Sequence, residues 1–364
     1  MTKADKPRPV DIIVPCRNES AVLGLFYAEA ERVAGTLPGY EFRYIFVDDG
    51  STDGTLGILQ DLAGRSGRVS YISFSRNFGK EAGIYAGLKR STAPLAAIID
   101  ADLQHPPAML RDMIGAIDAE GYDSCSARRI SRDGEPRIRS LLARGFYRLI
   151  NRMSDIDIVD GAVDYRMMTS QMVAAILELS EVQRFSKGIF AWVGFRTKWL
   201  EYKNVERLAG ESKWSFAQLV KYALEGITAF TTVPLRFAFF AGFVFSLLSF
   251  ALLAYELIKT AIFGIGVPGY PSTLIMLLMI GGVIILSTGI LGEYVARMYM
   301  EAKRRPIYIE KSSQAWEERR SRARGASGAG RGAARSGCAA ARGRAERRRR
   351  DGRGGRRTAR RRRG

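Results

Sequence analysis

Four short apolar runs recur through the first hundred residues: Val10–Val14, Phe42–Val47, Val69–Phe74 and Leu95–Ile99. They are rich in β-branched and aromatic side chains, and each has the length of a strand. The stretches between them, Glu19–Thr36, Thr55–Ala63 and Lys80–Arg90, read as helices. This βαβαβαβ alternation predicts a mostly parallel sheet with helices on both faces. Such sheets bind ligands beyond the carboxyl ends of their strands. Three of these strands end in polar clusters: PCRNES, DDGSTDGT and DADLQHPP. A fourth helix follows the last cluster, with Leu110, Met113, Ile114 and Ile117 at helical spacing.

Residues 125–230 are less regular. Arg137–Met153 reads as a helix and Phe195–Tyr202 as an extended segment. Trp214–Phe230 gathers Phe216, Leu219, Val220, Leu224 and Ile227 on one side. That pattern suits a helix lying in a membrane interface or one packed on its own domain. Two apolar runs immediately C-terminal to it favour the interface. Phe237–Tyr255 and Ser272–Gly292 are both uncharged, and each has about the 20 residues needed to span a bilayer. The joining segment KTAIFGIGVPGYP breaks the helix with Gly and Pro. A transmembrane hairpin is expected, with spans at about 237–257 and 272–292. Arg236 precedes it and Arg297, Lys303, Arg304 and Arg305 come after it, while the loop holds only Lys259 at its edge. The positive-inside rule then puts both termini and the α/β domain in the cytoplasm.

The formal net charge is +19, yet it is unevenly placed. From Ser312 to Gly364 there are 19 Arg against four acids, so 15 of the surplus charges sit in that stretch. It has almost no large apolar side chains, and its composition predicts disorder after about residue 312. Without aromatic interleaving or an RNA-binding motif, the run does not point to nucleic acid. Cys16, Cys125 and Cys338 form no CxxC or paired framework, which suits a reducing compartment. The start MTKADKPRPV is polar and Pro-broken, unlike a signal peptide.

No GxxxxGK[ST] or GxGxxG motif follows the first strand. Acids at strand ends would repel a nucleotide's phosphates unless a cation stood between. Asp100-Ala101-Asp102 with Gln104 is therefore a candidate site for Mg²⁺ or Mn²⁺, which favour hard oxygen ligands. His105, the only histidine, adjoins a Pro pair that opens the next helix, where a cap or packing role needs no metal.

IIVPCRNE, FVDDGSTDGT, SFSRNFGKEAGIYAGL, IIDADLQHPP and ERLAGESKWS together resemble the family 2 glycosyltransferases of GT-A fold. The likeness is to the polyprenyl-phosphate sugar transferases, a group that includes dolichyl-phosphate mannose synthase and the bactoprenol glucosyltransferases. It runs from about Val10 to Tyr308. The resemblance implies a cytoplasmic catalytic domain over 1–213, an interfacial helix over 214–232, the hairpin over 233–298 and a basic tail over 299–364. It implies that Pro15, Arg17 and Glu19 line the base and ribose, with Val47 and Ala101 at the same strand ends. Asp49 would bind base or ribose, while Asp48 braces the turn. Asp100, Asp102 and Gln104 match metal and diphosphate positions, and Arg128 matches a donor-contacting arginine. Arg207 and Lys213 match a basic loop that closes over the phosphates. In VDGAVDYRMM, Asp160 stands six residues before Arg166 and matches an acid near the acceptor, with Asp164 its competitor.

The activity implied is inverting, metal-dependent transfer of a sugar from a nucleotide-sugar, UDP-glucose first, to a polyprenyl phosphate at a bacterial inner membrane. GDP-mannose and other nucleotide-sugars share these motifs, and a homo-oligomer is compatible with the hairpin. A processive polysaccharide synthase would need more membrane helices and a QxxRW motif, of which VQRFSKGIFAW is a partial echo. A non-catalytic scaffold with a polyanion-binding tail is the rival from outside enzymology.

Overall fold

The computed structural model describes residues 6–129, 151–152, 159–202, 231–263 and 269–315. Strands β1 (Arg8–Cys16), β2 (Tyr40–Asp48), β3 (Val69–Phe74) and β4 (Leu95–Ile98) alternate with helices α1 (Leu23–Ala34), α2 (Thr55–Arg65) and α3 (Lys80–Arg90). Helix α4 (Leu110–Asp118) precedes β5 (Ser124–Arg129), β6 (Ala162–Thr169), α5 (Ser170–Glu178), α6 (Ser186–Trp192) and β7 (Thr197–Tyr202). Two long helices, α7 (Val233–Phe263) and α8 (Tyr270–Ala302), then lead to β8 (Glu310–Gln314). Among the described residues the strands form one sheet in the order β7-β5-β6-β4-β1-β2-β3-β8.

The first four strands run parallel, as the alternation predicts. Their side chains fill two cores, one on each face. Phe26 of α1 and Tyr44, Phe46 and Leu59 pack on one side, while Ile13, Ile45, Ile72 and Ile84 pack on the other. Helix α3 lies close on β1 because Gly87 has no side chain: a Cβ there would meet Ile13 Cγ2 at 2.2 Å. At the start of β1 the buried Asp11 carboxylate ties three elements together. It accepts from Ser91 Oγ (2.8 Å) and the amides of Thr92 (2.8 Å) and Ala93 (2.9 Å), and it pairs with Arg43 at 2.7 Å. A buried charge is tolerated only with such a full set of partners.

Beyond β4 the structure departs from simple alternation. The segment VDGAVDYRMM, to which the sequence pattern assigned no element, supplies most of β6, which runs antiparallel between β4 and β5. Its burial on both faces hides the period-two alternation of a half-exposed strand, so the sequence pattern missed it. Helices α5 and α6 were also unforeseen, being nine and seven residues long. The extended reading of Phe195–Tyr202 corresponds to β7. The predicted helix at Arg137–Met153 and interfacial helix at Trp214–Phe230 lie almost wholly outside the described residues.

A second departure concerns the C-terminal part. Residues 310–314 fall in the stretch expected as a basic tail, disordered after about 312, yet they form a strand paired antiparallel with β3. Tyr308 stacks on Phe74 with ring centroids 4.8 Å apart, and Glu301 at the end of α8 accepts from the amides of Val182 (2.9 Å) and Gln183 (3.3 Å). Short strands of Ser, Lys and Gln carry no apolar signal; edge pairing alone defines β8. Helices α7 and α8 extend past the predicted spans at both ends and contact each other. Among the described residues one stretch, Met279–Ala302, is long and apolar enough to cross a membrane.

Candidate active site

The polar clusters converge at the carboxyl ends of β1, β2 and β4 and the amino end of the antiparallel β6. After β2, Asp48 accepts from the Ser51 amide (3.0 Å) and Ser73 Oγ (2.7 Å), the bracing role expected of it. Gly50 adopts φ +61°, and a Cβ there would stand 2.5 Å from the Arg76 carbonyl carbon. The turn can therefore press against the β3–α3 loop only with glycine. Asp49 uses both carboxylate oxygens on that loop, accepting from the amides of Phe78 (2.6 Å) and Gly79 (3.0 Å). Burial pushes its carboxyl up, against these amides and nearby Arg17. Each oxygen keeps a second lone pair, so Asp49 is both a brace and an available acceptor.

Pro15 and Cys16 finish β1, and Asn18, at φ 55°, turns the chain so that its side chain accepts from the Thr52 amide at 2.9 Å. The Glu19 amide donates to Thr55 Oγ1 at 2.9 Å, locking the two loops together. Arg17 is exposed at their rim. Val47 is fully buried and Ala101 nearly so.

The centre of the site is a lysine to which the sequence pattern assigned no role. Lys80, the first residue of α3, has its Nζ 2.8 Å from Asp100 Oδ1 and 2.7 Å from Asp164 Oδ2. It thereby joins the ends of β4 and β6. Burial works against its charge, but the two carboxylates outweigh that and hold its pKa above the ordinary lysine value. Asp164 answers in kind. Burial opposes its ionisation, yet Lys80, with Lys187 and Arg166 behind it, holds the carboxyl well below the usual range. Lys80 lies inside the motif SFSRNFGKEAG, so its neighbourhood was marked even though the residue was not.

Asp102 Oδ1 accepts from the Gln104 amide at 3.1 Å, which shapes the turn after β4. His105 is buried behind it and shares a hydrogen bond with Tyr202 Oη at 2.8 Å. Its ring lies along Tyr165, and Nε2 stands 3.7 Å from Asp100. Burial lowers its pKa against the pull of Asp100. The packing role holds, and the ring also backs the Asp100 carboxylate. Next to Lys80, Glu81 accepts from the Ser186 amide (3.0 Å) and Ser186 Oγ; burial pushes it up to about 7.

Asp160 contributes its backbone carbonyl to Arg128 Nε at 3.1 Å, and Arg128 also faces Glu201 at 3.6 Å. Of the two acids considered for the acceptor side, it is Asp164 that meets the Lys80 centre. Arg207 and Lys213 lie outside the described residues. Among the described residues no three His, Cys, Asp or Glu side chains gather as a metal cage.

A mostly parallel α/β sheet with acids collected at the carboxyl edge of its parallel strands fits the GT-A architecture that the sequence resemblance implies. Comparison with known proteins agrees: the Glycosyl transferase family 2 profile matches residues 11–177. The putative glycosyltransferase CsbB of Bacillus subtilis is 42% identical over 304 residues, covering 84% of this chain and 92% of its own. A prophage bactoprenol glucosyl transferase homolog of Escherichia coli is 39% identical, covering 83% and 98%. The bactoprenol glucosyl transferase of Shigella phage SfX is 39% identical, covering 83% and 99%. The chain belongs to glycosyl transferase family 2. Among solved structures, glucosyl-3-phosphoglycerate synthase of Mycobacterium tuberculosis matches at TM-score 0.41 and 16% identity over 61% of this chain and 78% of that one. That likeness is too distant to bear on ligands.

Proposed function

We propose that this transferase moves a sugar from a nucleotide-sugar to the phosphate of a polyprenyl carrier at the cytoplasmic face of a bacterial membrane, with UDP-glucose as first donor. The observation that carries the reading is the Asp100–Lys80–Asp164 bridge at the strand ends, with Asp102 beside it. The names of the bactoprenol relatives support the acceptor class and glucose.

In this reading Pro15, Arg17, Glu19, Val47, Asp49 and Ala101 surround the base and ribose. Arg128, Arg207 and Lys213 face the phosphates. The donor set of Asp100, Asp102 and Gln104 suits a divalent ion, since all three offer hard oxygens. A site with few protein ligands fits Mg²⁺ or Mn²⁺, which keep waters and substrate phosphates in their shell. Bound there, the ion supplies charge neutralisation to the departing diphosphate.

An oxygen of the acceptor phosphate attacks the anomeric carbon. The bond to the nucleoside diphosphate breaks, its electron pair leaves on the diphosphate oxygen, and the configuration inverts. A phosphate monoester has its second pKa near 6, so no proton need be removed at neutral pH. Asp164 is held ionised and is a weak base. It acts by charge, orienting Lys80 toward the acceptor phosphate and facing the positive charge that builds at the anomeric carbon.

Both long helices belong in the bilayer in this proposal. Phe237, Phe239, Phe243 and Leu247 on α7 and Leu277, Ile284 and Ile285 on α8 are all more than half exposed, which water would penalise. With 31 and 33 residues, at about 1.5 Å each, both exceed the ~30 Å hydrocarbon core.

The test is reconstitution. Full-length protein in detergent, given UDP-glucose, undecaprenyl phosphate and Mg²⁺, should form a lipid-linked glucose. Failure with every nucleotide-sugar and polyprenyl phosphate tried overturns the function. Undiminished turnover in excess chelator removes the metal role, and Asp102→Asn is expected to lose at least ~100-fold in rate.

A further inference from the structure

A cavity of about 240 Å³ opens where the catalytic domain meets the end of α8. Its walls come from three separate parts of the chain: the start of α3, the Val182–Phe185 loop, and the last turns of α8 with the return segment beyond them. Three cations line it, Lys80, Arg184 and Arg297, with Phe78, Phe185 and Ile307 as apolar surface between them. It is thus continuous with the Lys80 centre at one end and with a membrane-length helix at the other.

The two arginines are held in place by the protein around them. Arg184 donates to the carbonyls of Leu179 and Ile176 at the end of α5, and its guanidinium lies 4.7 Å over the Tyr85 ring. Arg297 pairs with Glu293 one turn earlier, Nε to Oε1 at 3.2 Å. These contacts fix the direction of each guanidinium, whose planar fork of donors matches the geometry of a phosphate. Two carboxylates bordering the cavity are occupied: Glu81 accepts from Ser186, and Glu301 caps the amides of Val182 and Gln183. The wall is cationic, part apolar, and joined to both bilayer and active site. That is the chemistry of a prenyl phosphate, an anionic head on a hydrocarbon chain.

We propose that this cavity admits the acceptor: Arg297 and Arg184 receive its phosphate at the membrane side and pass it to Lys80 beside Asp164, while Phe78, Phe185 and Ile307 pack against its first isoprene units. The inference rests on the polyprenyl-phosphate function proposed for this site and assigns that substrate a route and a second set of residues.

The experiment has a kinetic and a binding arm, both on the full chain in detergent. In the first, acceptor concentration is varied at saturating donor. Arg297→Ala is expected to raise the KM for undecaprenyl phosphate at least tenfold, leave the donor KM unchanged, and keep kcat within threefold. Arg297→Lys should restore part of the loss. An unchanged acceptor KM, or donor and acceptor KM rising together, overturns the proposal. In the second arm, Ile307→Cys is made in a Cys338→Ser background; the remaining thiols, Cys16 and Cys125, are buried. Undecaprenyl phosphate should slow labelling of that cysteine, whereas undecaprenol, inorganic phosphate, phosphatidylglycerol and nucleotide-sugar should not. Equal labelling with and without undecaprenyl phosphate overturns the route. Protection by phosphatidylglycerol alone marks a headgroup contact and also overturns it. A protein that binds in this arm yet transfers no sugar under any donor leaves the route standing and sinks the proposed reaction instead.

Discussion

Lys80 and Asp164 lie 84 positions apart in sequence and 2.7 Å apart in space, Nζ to Oδ2. The same ammonium meets Asp100, so one side chain decides how two strand-end acids coexist. Replacing Lys80 with Met removes the cation bonded to both. Turnover should fall by ~10²–10³ in this electrostatic role. The lysine side chain is 42% exposed, so solvent screens the pair and stability should change by no more than about 1 kcal/mol. Circular dichroism and Tm beside the rate assay would separate the two effects. A large drop in Tm would recast the bridge as structural.

Asp160 and Asp164 are distinguished by the company they keep. Asp164→Asn should cost more than ~10²-fold in kcat, because its charge both orients Lys80 and faces the reacting carbon. Asp160→Asn should cost markedly less. Side-by-side kinetics decide it, and the reverse order would return the acceptor-side role to Asp160.

Glu81 links the site to pH. Its carboxyl titrates near 7 in the folded chain, mainly through burial, against an ordinary value of 4.5. An acid with a raised folded pKa binds its proton more tightly when folded. Its contribution is therefore fully present below the unfolded pKa and lost as pH rises through about 7. Glu81→Gln keeps an oxygen for Ser186 and cannot ionise. The variant should gain on the wild type by on the order of 2–3 kcal/mol between pH 5 and pH 8. Parallel Tm profiles for the two proteins would refute this.

Asp11 shows the opposite case, a buried acid far from chemistry. Asp11→Ala would remove the acceptor shared by Arg43, Ser91 and two backbone amides. A cost of ~3–5 kcal/mol in unfolding free energy is expected, with the rate per folded molecule unchanged. Denaturant unfolding coupled to an activity assay would measure both.

The C-terminal strand makes a truncation series informative. A chain ending at Ala315 keeps β8 and should retain activity without its Arg-rich tail. A chain ending at Arg305 loses both β8 and the Tyr308–Phe74 stack, uncovering the β3 edge. It should aggregate or lose most of its transfer activity. Equal activity of the two would show that the return strand is dispensable.

The alternation of short apolar runs and helical stretches determined β1 to β4, α1 to α3 and the parallel direction of the sheet. Local pattern suffices there, because each element carries its own periodicity and each strand end its own polar cluster. Asp100 and Asp102 could be read as strand-end acids on the same grounds, while the bracing role of Asp48 came from the family resemblance. The tertiary structure decided what depends on distant partners. β6 is buried on both faces and β8 is an edge of polar residues, so neither advertises itself by period. Lys80 is one lysine in a chain with 56 basic residues, and nothing local says that it meets Asp100 and Asp164. Coulomb attraction acts through space, and only the packing of α3 on β1 and β2, which sets its first residue at the ends of β4 and β6, brings those charges within 3 Å.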